Sequence, residues 1–190
     1  LNTFRDLYLV KYWFKAQDLW FDKIIFGNYQ MVFGQGLVVY APFGELVRPV
    51  KAKPLGINED KGTNDNAYFN GIGAEKAIGA FDTAFFYSNK YYDASLNEDG
   101  TIYTSIDSVK SNFGYLSTEG DLEIYHKLNE ELIGGRIAYN IDKESHIGFM
   151  GFESRYNPDM KPKSQDTLDR AVVTLFNGNK NRVIGTDIDT

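Results

Sequence analysis

The nine residues Ile133 to Ile141, IGGRIAYNI, decide the fold class. Ile133, Gly135, Ile137, Tyr139 and Ile141 fall on one face of an extended chain, and Gly134, Arg136, Ala138 and Asn140 on the other. This is period-two alternation, apolar on one side and small or polar on the other, and it predicts a strand with two unlike environments. The polar tetrapeptide Asp142 to Ser145 follows, then His146 to Ser154, HIGFMGFES, which predicts the returning arm of a β-hairpin.

Similar pairs recur on both sides. Ala67 to Lys76 and Ala80 to Ser88 flank a turn at 77–79. Asp169 to Phe176 and Arg182 to Thr190 flank Asn177 to Asn181. Phe4 to Phe14 and Lys23 to Phe33 form a further pair, with the second arm extending toward Tyr40. The connections alternate in length. Turns within pairs are short, whereas the links Pro42–Asn66, Asn89–Glu130 and Arg155–Leu168 are long and polar. Short turns on one rim and long loops on the other are the rhythm of an outer-membrane barrel. Greek-key sandwiches have less reason to keep that order. In the second long link, Ser117 to Asp121 offers N-cap hydroxyls and early acids, with Leu122, Tyr125 and Leu128 at helical spacing, so one short loop helix is expected.

Composition narrows the function. The chain has 190 residues and a formal charge of −6, with 20 Lys plus Arg against 26 Asp plus Glu. That balance argues against a nucleic-acid surface. With no cysteine, disulfides, thiolate metal sites and cysteine nucleophiles are excluded. The 27 Phe and Tyr residues with 18 glycines favour strands and turns. No apolar run is long enough for a membrane helix, but a spanning strand needs only about 9–11 residues, alternate ones apolar. The ends, Leu1-Asn2-Thr3-Phe4 and the strand-like Gly185 to Thr190, predict a piece of a longer chain.

The motifs that could carry chemistry fail on spacing. Gly34-Gln35-Gly36 lacks the third glycine of a dinucleotide loop, since Val39 stands there and no helix pattern follows. Gly34 and Gly36 read instead as a strand bend. Asn58, Asp60, Asn64, Asp65 and Asn66 do not match a calcium loop and read as a solvated loop. Glu119, Asp121, Glu123, Glu130 and Glu131 could supply a carboxylate pair for glycoside hydrolysis, but a solvated helix face accounts for them. His126 and His146 share no ligand pattern, with His126 expected on the exposed side of the loop helix. No catalytic residue, cofactor or metal site is therefore assigned. The aromatics gather at strand ends: Phe85, Phe86, Tyr87, Tyr91 and Tyr92 at one, and Tyr12, Trp13, Phe14, Trp20 and Phe21 around the first turn. Such clustering suits interfacial girdles.

Three blocks carry a resemblance. GNYQMVFGQGLVVY (Gly27 to Tyr40), FDTAFFYSNKYYDA (Phe81 to Ala94) and GYLSTEGDLEIYHKLNEELIGGRIAY (Gly114 to Tyr139) resemble, in the same order, segments of a Bacteroidota-type family of helix-hairpin-helix outer-membrane proteins. Leu116-Ser117 departs from the family's His-Arg pair, and no helix-hairpin-helix unit is visible in this sequence. The resemblance implies an outer-membrane barrel region, with no catalytic motif to carry over and no DNA binding by these residues.

The expectation is thus an all-β, antiparallel transmembrane barrel or barrel fragment of about eight strands, located in a bacterial outer membrane. It would serve as a scaffold or pore without catalysis. Its partners would be the lipid bilayer and either a remaining barrel segment or another protein. Arg136 and Asn140 are assigned to the barrel interior, and Ile137 and Tyr139 to lipid. The alternative is a soluble sandwich or jelly roll binding carbohydrate through aromatic platforms.

Overall fold

The structure, a computed structural model, describes residues 11–33, 39–40, 56–61, 68–103, 123–142, 145–161 and 176–189. Nine strands make up one antiparallel sheet: β1 (Trp13–Gln17), β2 (Lys23–Phe33), β3 (Val39–Tyr40), β4 (Gly56–Glu59), β5 (Phe69–Ile78), β6 (Phe81–Tyr92), β7 (Leu128–Asn140), β8 (His146–Met160) and β9 (Gly178–Asp189). Seven follow the path β1-β2-β5-β6-β7-β8-β9, while β3 and β4 pair with β2. Among the described residues no ladder joins β1 to β9, so the sheet is open rather than a closed barrel.

Short connections lie on one rim. Gly79, at φ +61°, lets the chain reverse between β5 and β6. Asp18 to Asp22 joins β1 to β2, and the Asp22 carboxylate accepts from the Ala77 amide at 2.6 Å and from Lys76 Nζ at 3.1 Å. The two neighbouring turns are thereby tied together. On the opposite rim the chain leaves the sheet for its long links. There Ala94, Ile102, Leu128, Tyr156 and Met160 form a small core beneath the isolated bridges Leu96↔Ile102 and Ile102↔Met160.

β2 departs from regularity at Gly27. Its φ of +95° is open to glycine, and a side chain there would run into the Tyr12 carbonyl. Before the bend, Ile25 faces inward and Phe26 outward. Beyond it, Met31, Val32 and Phe33 are all buried, so both faces of the strand are covered. The Phe33 ring stacks on Phe86 of β6 at 6.1 Å, two positions away in the sheet. The far half of β2, with β4, is thus folded over the inner face. Ile25, Tyr29, Met31, Phe33, Ile57, Phe86, Leu132 and Met150 form the main core there.

Several sequence expectations shift. The second arm does not continue to Tyr40, because β3 runs back antiparallel beside β2, pairing Phe33 with Val39. Leu128 opens β7 instead of closing a loop helix, since its side chain is wanted in the small core. The helical geometry is confined to Glu123–Ile124 within the described residues. Gly178 to Asn181 belong to β9 and pair with β8, so they are not a turn. Gly34, Gly36, Phe4 to Val10, Ser117 to Leu122 and Asp169 to Leu175 lie outside the described residues.

Candidate functional site

Strand pairing carries the alternation of β7 across its neighbours. Phe81, Tyr139, Ile147 and Ile188 stand in one cross-strand row, Thr83, Ile137, Phe149 and Thr186 in the next, and Phe85, Gly135, Gly151 and Ile184 in a third. These rows make the outer face of the sheet, and Phe14 and Phe26 extend it to β1 and β2. The band is apolar yet open: Ile137 is 48% exposed, Phe149 55% and Ile184 87%. A contiguous apolar surface on this scale marks an interaction site. Along β7 it runs from Ile133 to the residue after the strand, Ile141, about 27 Å at about 3.4 Å per residue.

The inner face has the opposite character near the short-turn rim. Arg136, His146 and Asp187 converge from β7, β8 and β9. Arg136 Nη2 donates to Asp187 Oδ2 at 3.0 Å, and His146 Nε2 lies 2.6 Å from the same oxygen. All three side chains are largely buried. Gly148 makes the cluster sterically feasible, for a Cβ there would meet the Asp187 carboxylate and stand 2.9 Å from Arg136 Nη2. The Arg136 guanidinium also lies over the Phe33 ring, 5.7 Å from its centroid. Asn140 shares this face and donates to Asp82 Oδ2 at 2.8 Å. Arg136 and Asn140 are therefore on the inner face, and Ile137 and Tyr139 on the outer one.

Other singled-out residues separate. Glu130 accepts from the Tyr92 hydroxyl at 3.0 Å and Glu131 from the Tyr87 hydroxyl at 3.1 Å, on opposite faces of β7. They neither share a helix face nor form a catalytic pair. Asn58 and Asp60 are not solvated loop residues: Asn58 is in β4, and the buried Asp60 accepts from Gln30 at 2.6 Å and pairs with Lys11 at 2.6 Å. Phe86 is core rather than girdle, whereas Trp20, in the β1–β2 turn, is 92% exposed beside Phe21. Among the described residues, no three His, Asp or Glu side chains are placed to hold a metal ion. The Arg136–Asp187–His146 cluster and the Gly148 gap beneath it were not anticipated. Only the inward parity of Gly148 and His146 on one hairpin arm hinted at them.

His126 is half-buried in a turn, at φ +51°, with its ring stacked 3.9 Å from that of Tyr125. Its amide donates to Asp93 Oδ1 at 2.9 Å. Burial holds the imidazole below its ordinary value, against the opposing pull of the Asp93 carboxylate. The unfolded segment therefore binds a proton more readily than the folded turn, and the turn loses stability as pH falls below about 6.5. Amide protection at residues 123–128, taken relative to the intrinsic exchange rate at each pH, should fall between about pH 7.5 and about pH 5.5, and His126→Asn, which tolerates the same backbone, should flatten that dependence. An equal loss of protection in the variant would assign the effect to another group.

Comparison with known protein families, with curated proteins and with solved structures finds no match for this chain.

Proposed function

We propose that this chain is a wall region of a bacterial outer-membrane β-barrel, acting as a structural scaffold or pore without catalysis. The observation that carries this reading is the open apolar band on the outer face of a sheet whose inner face already holds its own core and a buried Arg–Asp–His cluster. Water would penalise that band, whereas a hydrocarbon layer would cover it. The nine-residue reach from Ile133 to Ile141 suits one tilted crossing. The barrel would close through further strands or a partner at the open edges of β1 and β9. The resemblance to Bacteroidota-type outer-membrane proteins points the same way. Between scaffold and pore, the folded-over half of β2 and its core favour the scaffold, because they occupy the inner face.

A fluorophore at position 137 should be quenched by lipid-borne quenchers in reconstituted protein, and one at Asn140 should not. Ile137→Arg should destabilise the reconstituted protein by about 2–4 kcal/mol if the site is near mid-membrane. Shielding of position 137 from both lipid and water quenchers would place it in a dry protein interface, and the membrane reading would fail. The exposed Trp20 beside Phe21 favours a carbohydrate platform instead. Stability without detergent, with Trp20 fluorescence responding to oligosaccharide, would select that reading.

A further inference from the structure

Directly beyond the apolar band, toward the long-link rim, the outer face changes abruptly to charge. Glu153 and Arg182 are cross-strand partners, as are Arg155 and Lys180 in the next outward row. Two cations directly opposite each other repel, yet here Arg155 faces Lys180. Glu153 sits between the three: it accepts from Arg155 Nε at 2.7 Å and from Arg182 Nε at 2.5 Å, with Lys180 Nζ at 3.5 Å. Both guanidiniums are therefore gripped through Nε, and their side chains remain 59% and 67% exposed. Glu131 holds the Tyr87 hydroxyl at 3.1 Å on the same face. Three cations against two carboxylates leave a positive site on a chain whose formal charge is −6.

We infer that Arg155, Lys180 and Arg182, oriented by Glu153, bind the phosphate of an anionic lipid headgroup at the edge of the membrane-facing band. This rests on the membrane reading above. The chemistry is that of guanidinium and ammonium donors meeting a tetrahedral oxyanion, for which a pre-oriented arginine pair is well shaped. Position selects a lipid as the source. The cluster is continuous with Ile133 and Ile184, so a headgroup bound there would lay its acyl chains on the apolar band.

The test uses the full chain in phosphatidylcholine vesicles containing spin-labelled phosphatidic acid or, in parallel, spin-labelled phosphatidylcholine. The protein should enrich the anionic probe in its boundary layer. Arg155→Gln with Arg182→Gln should remove that preference, by roughly fivefold for each arginine. Lipid quenching of a fluorophore at position 137 should stay unchanged in the variant, showing that the barrel wall is intact. Arg182→Gln alone should give an intermediate loss. Quenching at 137 without anionic preference would overturn the lipid site while leaving the membrane reading standing. Absence of quenching at 137 would overturn both. Arginine-dependent binding of inorganic phosphate to lipid-free protein, with the same ion displacing the anionic probe, would identify a soluble anion as the source and overturn the lipid assignment.

Discussion

Replacing Asp187 with alanine is expected to cost about 3–5 kcal/mol, because it strands a buried guanidinium without its counter-charge. Arg136 and His146 both converge on one Asp187 oxygen, and Arg136 and Asp187 are 8% and 5% exposed in their side chains. Arg136 Nε has no hydrogen-bond partner among the described residues, so the guanidinium depends on its contact with Asp187 for a counter-charge. Breaking the cluster from one side is thus worse than removing it. The combination Arg136→Met with Asp187→Leu should recover much of the loss, since apolar residues of similar volume can replace a buried pair. The readout is the urea midpoint of the reconstituted protein by tryptophan fluorescence. Equal destabilisation by the single and combined variants would show that packing, not charge, dominates here. Gly148→Ala should weaken the same cluster from beneath, as its Cβ would displace the Asp187 carboxylate.

Phe86→Ala is expected to cost a similar amount, about 3–5 kcal/mol, through loss of buried surface and the cavity left behind. Phe86 is fully buried and stacks on Phe33. It also lies over Gly134, its cross-strand partner on β7. A Cβ at Gly134 would stand 2.6 Å from the Phe86 ring, 2.6 Å from the Phe152 Cβ and 2.5 Å from the Gly151 carbonyl oxygen. The ring fills space that the glycine vacates, an aromatic covering of a glycine in a sheet. Gly134→Ala should therefore destabilise the wild type by overpacking, about 1–3 kcal/mol. On the Phe86→Ala background the same change should cost less, because one of its three obstructions is gone. A double-mutant cycle measures this coupling. Strict additivity of the two changes would mean that the Gly151 carbonyl and the Phe152 Cβ set the penalty at Gly134 without the ring.

The amino-acid sequence by itself determined the strand character and the two faces of β7, because side-chain direction alternates with every residue and needs no partner to define it. The β7–β8 hairpin and the short turns of one rim were legible for the same local reason: Gly79 and Asp142 to Ser145 punctuate runs that cannot otherwise reverse. What occupies the inner face was decided only by tertiary structure. The bend at Gly27 and the return of β3 beside β2 turn a strand that reads as continuous into a cover for the core. Leu128 has helical spacing to Tyr125, but burial among Ala94, Ile102 and Tyr156 draws it into a strand. The Arg136–Asp187–His146 cluster joins residues up to 51 positions apart. Its members meet because the pairing of β7, β8 and β9 sets their register and Gly148 leaves room between them. Local pattern specifies which way a side chain points, but only the three-dimensional register specifies what it meets there.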